Sequence, residues 1–350
     1  MNATHCYGLL DRALYRYCCE RPMYRPLCDY FDNPSNFLPI TESPTRYINT
    51  LKQTAKRFQK IVLWGFRSVF DTYRFIHLGF FNTLKECGIE VVWIDDIKEN
   101  NRIISRDDIV FSADICSKNL IYRNDAYYVL HNVIFDDSGT NIPNIDRTLH
   151  LKIFTYGSIS RGEYYKNKVT VFSAKDRTLY QPWGTDVPPY RFAKPIFPGG
   201  GGRFLYWVGS VWDDKNHAGN IRIISQFKSE LKQYGIEFIQ MFPVSTRAAI
   251  MLIQKSRLTP AVAGEKQMEV GHLPCRWFKN ISYGRLALSN VTNFETIFAN
   301  CGIICEDFAM MLKKYFELPE TIISEMIYEQ QKITREHTYF SKLENIFSLI

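Results

Sequence analysis

The 350-residue chain has no apolar run of the ~18–20 residues that a membrane-crossing helix needs. Its first twenty residues hold Asp11, Arg12, Arg16 and Glu20 with no unbroken apolar stretch, so no secretory leader is expected and a cytoplasmic chain is the reading. No G-x-G-x-x-G follows an apolar strand, and no G-x-x-x-x-G-K-[ST] occurs anywhere, which removes the usual signatures of dinucleotide oxidoreductases and P-loop kinases. Strong charge is also missing. The net charge is +7, and +4 of it sits in residues 1–60, where nine Lys/Arg face five Asp/Glu. That bias suits a phosphate-bearing ligand or peripheral contact with an anionic membrane, and is too weak to indicate nucleic acid.

Metal-ligand spacing is absent as well. Cys6, Cys18, Cys19 and Cys28 match no zinc finger or ribbon, and no histidine pair completes them. The nine cysteines are an odd number and several lie in apolar runs, as expected of reduced thiols.

What is present is a faint internal repeat. IVLWGFRSVFD (61–71) and FLYWVGSVWDD (204–214) are apolar runs ending in a glycine turn with an acidic residue beyond. Each leads into a helical pattern that stops at Gly-Ile-Glu (88–90 and 235–237) before a second strand, VVWID or FIQMF. A glycine-bounded apolar run reads as a buried parallel strand, and strand, helix, C′ glycine and strand make a βαβ unit. Two such starts, at Gly65 and Gly209, predict an α/β chain of two Rossmann-like domains facing across a cleft. The expected boundaries are an irregular, aromatic and basic extension at 1–57, a first domain at 58–185, a linker at 186–202 and a second domain at 203–318. C-terminal helices at 319–350 are able to cross back to the first domain. The Pro- and Gly-dense stretch from 181 to 202 marks the connection. Ser245 is the expected N-cap of an amphipathic helix over 245–256.

Ligands of open α/β sheets bind beyond the carboxyl ends of the strands. In the second half, LTPAVAG (258–264) reads as a strand, GEKQMEVGHLP as a long loop, and CRWFKNISY as a helix starting at the ligand edge. Arg276, Lys279, Asn280 and Tyr283 follow at 0, +3, +4 and +7, opposite Trp277, Phe278 and Ile281. A helix N-terminus carries unpaired N–H groups and partial positive charge, and Arg276 and Lys279 would add two full charges for phosphate. A solvated surface helix is the plain alternative. Asp95 or Asp96, ending the second strand of the first half, is a weaker ribose ligand of the kind a methyltransferase would use.

The segment Arg276-x-Phe278-Lys279-Asn280-Ile281-Ser282-Tyr283-Gly284 resembles the donor-site segment R-x-F-E-A-x-A-x-G of GT-B fold glycosyltransferases of the family 1/4-like kind. The VGSVW stretch is similar to their glycine loop near the donor phosphates, and the likeness covers residues from about 58 to 350. It implies sugar transfer from a nucleotide-diphosphate donor to a hydroxyl of a glycan, lipid-linked or protein-linked acceptor, with no metal and no further cofactor. Lys279 stands where relatives often carry a glutamate, and the E-x7-E pattern is not intact, which makes Lys279 a phosphate rather than a ribose ligand. The implied donor-binding residues are Gly209, Ser210, Arg247, Glu265, Gln267, Arg276, Lys279 and Asn280.

An inverting transfer needs a general base from the first domain. Asp71 is the candidate, and it serves equally well as the N-cap of the helix that follows. His77, His131 and Asp114 are looser options. Trp183 either stacks on a sugar or pins the connection. Two other readings of the whole chain stay open, a Rossmann-type methyltransferase and an inactive glycan-binding protein on the same scaffold.

Overall fold

The computed structural model of the chain describes residues 43–67, 72–94, 103–113, 120, 122–131, 145–153, 163–164, 170–197, 202–213, 219–241, 244, 246–269 and 271–350. Expectations for Cys6, Cys18, Cys19, Cys28, Asp71, Asp95, Asp96, Asp114 and Ser245 lie outside them. The chain divides into two compact units, Ile40–Pro188 with Glu336–Ile350, and Pro189–Arg335 among the described residues. Each contains parallel strands, and in each a helix joins the first two of them.

The first unit opens with helix α1 (Pro44–Ala55), where an irregular extension was expected. The reason is local. Ser43 caps the helix by accepting from Thr45 N, Pro44 occupies the first turn, and Leu51 and Ala55 are buried one turn apart. Strand β1 (Ile61–Trp64), helix α2 (Thr72–Glu86) and strand β2 (Val91–Ile94) form the predicted βαβ unit, and Gly88 ends the helix at φ +63°. Strands β3 (Ile109–Ala113), β4 (Tyr127–His131), β5 (Thr148–Lys152), β6 (Glu163–Tyr164), β7 (Val171–Ser173) and β8 (Thr178–Tyr180) complete a sheet of order β2-β1-β3-β4-β5-β8-β7-β6. Pairing is parallel from β2 through β8 and antiparallel for β8-β7-β6. Such strands are covered on both faces, which is why β1 reads as an unbroken apolar run and β3 is apolar but for the buried Ser112, with Val62, Leu63, Val110 and Ile109 fully buried.

The second unit starts with strand β9 (Phe204–Val208), helix α3 (Ile221–Gln233) and strand β10 (Glu237–Met241), again with a C′ glycine, Gly235, at φ +65°. Helix α4 (Thr246–Lys255) leads to strand β11 (Thr259–Pro260). The expected loop then contains a short helix, α5 (Glu265–Glu269), before helix α6 (Cys275–Ser282). Strand β12 (Ala287–Ser289), helix α7 (Glu295–Phe298), strand β13 (Ile303–Ile304) and helices α8 (Phe308–Glu317) and α9 (Glu320–Thr334) follow. Ladders β9/β10 and β11/β12/β13 are all parallel, and Arg257 N to Phe204 O at 2.8 Å links the two sets. Leu205, Trp207, Phe227, Leu231, Leu288 and Met311 form the core.

Helix α10 (Tyr339–Leu349) belongs to the first unit. It packs on α1, with Tyr47 and Phe340 edge to face, and on α2, where Tyr339 meets Phe80 at 5.1 Å. Arg57 donates to the Phe347 carbonyl, and Thr185 pairs with Thr338. Among the described residues no helix is long and apolar enough to cross a membrane, and Cys87, Cys275, Cys301 and Cys305 are free thiols.

Candidate functional site

Strand β9 ends in a loop that only glycine can begin. Gly209 has φ +142°, and a Cβ there would lie 2.5 Å from Arg276 Nη2. Asn220 then ties the loop down. Its Nδ2 donates to Ser210 O at 3.3 Å, and its Oδ1 accepts from Trp212 N at 3.0 Å. Trp207 Nε1 also donates to Ser210 O, and Gln240 Nε2 to Gly209 O. Every one of these bonds ends on main chain, so the loop keeps one shape without using the exposed Ser210 hydroxyl.

Helix α6 is fixed by its apolar side. Trp277 stacks on Phe294 at 4.4 Å and 16°, and Phe278 meets Phe294 and Phe298. Trp277, Phe278 and Ile281 are fully buried, each contributing about 1.5–3 kcal/mol of apolar transfer. That anchoring sets Arg276 toward the β9 loop. Arg276 Nη1 donates to Val208 O at 2.6 Å, and its Cζ lies 3.8 Å over the Trp207 ring. Burial lowers its pKa to about 10, so it stays charged at neutral pH. Arg276 has no ion pair with a carboxylate among the described residues, and α6 has neither a capping side chain nor an acid in its first turn. The result is a guanidinium, a glycine loop and a helix start without a neutralising acid, which is the chemistry of an anion site.

The other expected donor residues separate. Asn280 and Tyr283 do not continue a polar stripe. Asn280 is 2% exposed and its Nδ2 donates to Thr259 O at 2.9 Å, holding α6 on β11, while Tyr283 is 4% exposed. Lys279, in the last turn of the helix, is half-buried. Glu265 is ion-paired with Arg222, and Gln267 Oε1 accepts from Gly264 N at 3.0 Å, closing α5. Arg247 sits half-buried in the first turn of α4. So the structure brings Arg276 to Val208 O and Gly209, and gives Asn280, Glu265 and Gln267 structural partners.

In the first unit, side chains gather at the carboxyl ends of β1, β2 and β4. Gly65 O accepts from Trp93 Nε1 at 2.9 Å and from His77 Nδ1 at 3.3 Å. A carbonyl only accepts, so His77 carries its proton on Nδ1. Phe66, at φ +61°, lies beside Tyr73 and His77. Trp183 Nε1 donates to His131 Nε2 at 3.0 Å, which puts the His131 proton on Nδ1, and that buried atom has no partner among the described residues. Tyr73 stands edge-on to both His131 and Trp183. Burial drives the pKa of His77 to about 4 and of His131 to about 3, so both rings are neutral and weakly basic at pH 7. His131 is therefore suited to holding a ligand atom rather than removing a proton. Composition gave no sign of this grouping, because its members are up to 118 residues apart, from Gly65 to Trp183.

Among the described residues no cluster of His, Cys, Asp or Glu could hold a metal ion. No family model matches the chain. No curated protein matches it either. Among solved structures, the chain is similar to an α,α-trehalose-phosphate synthase (UDP-forming) from Burkholderia vietnamiensis, at 9% identity over 80% of each chain, TM-score 0.40. It is also similar to an α,α-trehalose 6-phosphate synthase from Burkholderia multivorans, at 8% identity over 87% of this chain and 80% of that one, TM-score 0.41. With scores below 0.5 neither likeness assigns an activity to this chain.

Proposed function

We propose that this chain is a GT-B type glycosyltransferase that moves a sugar from a nucleotide-diphosphate donor to a hydroxyl of a glycan, lipid-linked or protein-linked acceptor without a bound metal. The observation that carries the reading is the uncompensated Arg276 guanidinium seated against the Gly209 loop, 2.6 Å from Val208 O. In this reading the donor diphosphate lies between the Gly209–Ser210 backbone and the start of helix α6. Arg276 and Lys279 meet the charge that grows on the leaving phosphate, and Arg247 adds a further positive charge nearby.

Transfer forms a bond between the acceptor oxygen and the anomeric carbon and breaks the bond from that carbon to the phosphate oxygen. The diphosphate leaves with the bonding electron pair. In inverting transfer the acceptor proton passes to a carboxylate, for which Asp71 is the candidate. His131 and Trp183, at the ligand edge of the first sheet, supply a hydrogen-bond donor and an aromatic face for sugar hydroxyls.

Titration of UDP, GDP and dTDP, with S-adenosylmethionine as the competing ligand, tests the reading. Binding of at least one nucleoside diphosphate, weakened tenfold or more in Arg276→Ala, supports it. Binding of the methyl donor and of no diphosphate overturns it.

A further inference from the structure

The second unit holds another cationic pocket, none of whose lining residues belongs to the Arg276–Gly209 cluster. Its volume is about 80 Å³, and its walls include Ile196, Arg257, Arg285, Tyr315, Phe316 and Leu318. That is roughly half the ~150 Å³ void that accepts a benzene ring, so the room suits a ligand of four or five heavy atoms.

Arg285 lines the pocket and is 2% exposed. Its Nη1 donates to Ile196 O at 2.9 Å, and its Nη2 donates to Ser256 O at 2.6 Å and Arg257 O at 3.2 Å. Its buried Nε has no acceptor. Carbonyl dipoles orient this guanidinium without neutralising it. Arg257 places a second cation at the same pocket, its Cζ 5.5 Å from the Phe316 ring centroid, and Tyr315 Oη donates to Arg257 O at 2.8 Å. Neither arginine has an ion pair among the described residues. Burial and the neighbouring Arg257 both depress the Arg285 pKa, to about 10, so it remains charged at neutral pH. Glu320 also lines the pocket, is exposed, and stands at the first turn of α9.

Two arginines line one small pocket, and the buried Arg285 carries a positive charge whose cost an anion would offset. Arginine matches the planar or tetrahedral faces of carboxylates and phosphates. We propose that the Arg285–Arg257 pocket binds a small oxyanion, a phosphate or carboxylate group, and that its occupancy stabilises the second unit. Leu318 and Ile323 then cover the apolar side of a ligand whose charged end rests on Arg285.

The test is isothermal titration of the full chain with inorganic phosphate, methyl phosphate and acetate, repeated in Arg276→Gln to remove the contribution of the first site. Saturable one-to-one binding of at least one of these anions is expected to persist in Arg276→Gln. It should weaken tenfold or more in Arg257→Gln and Arg285→Lys, and strengthen in Glu320→Gln, which removes a like charge from the rim. Arg257 is only half-buried, so its variant keeps the test valid if Arg285→Lys fails to fold. Phosphate against acetate separates a phosphate from a carboxylate ligand, and methyl phosphate separates a free ion from an esterified group. Absence of binding in both backgrounds, or binding lost in Arg276→Gln and unchanged in Arg257→Gln, overturns the proposal and leaves the sugar-transfer reading untouched.

Discussion

Arg276 rests on Trp207, its Cζ 3.8 Å from the ring centroid, while its Nη1 donates to Val208 O at 2.6 Å. The two contacts tie the start of helix α6 to the end of strand β9 and leave Nη2 beside Gly209. A side chain at Gly209 tests this arrangement. In Gly209→Ala, the new Cβ would stand 2.5 Å from Nη2 at a positive φ. The expected result is a destabilisation of about 1–3 kcal/mol in urea unfolding and a loss of diphosphate affinity of about tenfold.

Trp277 carries the orientation of the same helix from its other side. Trp277→Ala removes the stack on Phe294 and the contact with Phe298. Unfolding of the second unit should become easier by about 3–5 kcal/mol, read by urea denaturation with circular dichroism. Asn280→Ala, which frees Thr259 O in a buried site, should cost about 1–3 kcal/mol without changing the charge at Arg276.

The first unit has a distinct pH signature in Lys342, which is 1% exposed with Nζ 3.3 Å from His337 Nδ1. Burial lowers its pKa to about 7. Between pH 7 and the ordinary lysine range the unfolded chain binds more protons than the folded one, so stability rises with pH there. Cys87, pushed up to about 12, opposes this above its ordinary range near 9. Urea midpoints should therefore climb from pH 7 to 9, and Lys342→Met should be more stable than the parent at pH 7 with that climb removed.

On the acid side the sign is set by His77 and His131, lowered to about 4 and about 3. Both contribute stability that is present above the ordinary histidine pKa near 6.5 and is lost as pH falls toward these values. His337, also lowered by burial, acts in the same direction. A fall in the urea midpoint between pH 6.5 and 4 that is made shallower in a His77→Phe, His131→Phe double variant, with His337 still contributing, would agree. An unchanged slope would not.

The repeated starts were readable because a buried parallel strand and a C′ glycine leave local marks. Gly88 and Gly235 both end helices at left-handed φ, as their Gly-Ile-Glu signals imply. Helix α6 was readable from the spacing of Trp277, Phe278 and Ile281. Helix α1 escaped because its apolar positions, Tyr47, Ile48, Leu51 and Ala55, are few and sit among polar and basic residues whose composition suggests a loop. The partners of the site escaped for a different reason. The contacts Arg276–Val208, Asn280–Thr259, Glu265–Arg222 and Trp183–His131 span 68, 21, 43 and 52 residues. No local pattern specifies which of several polar side chains a fold will bring to a given main-chain atom. Arg276, on the polar side of the helix, reaches Val208 O and the Gly209 backbone, while Asn280 at the same spacing donates inward to Thr259 O on β11.

The measurement that bears most directly on the central claim is the affinity of the parent chain and of Arg276→Ala for a panel of nucleoside diphosphates, by isothermal titration at pH 7.5. The account predicts saturable binding of one diphosphate to the parent, weakened at least tenfold in Arg276→Ala, with far-ultraviolet circular dichroism unchanged. Equal affinity in the two proteins, or no diphosphate binding to the parent, would contradict it.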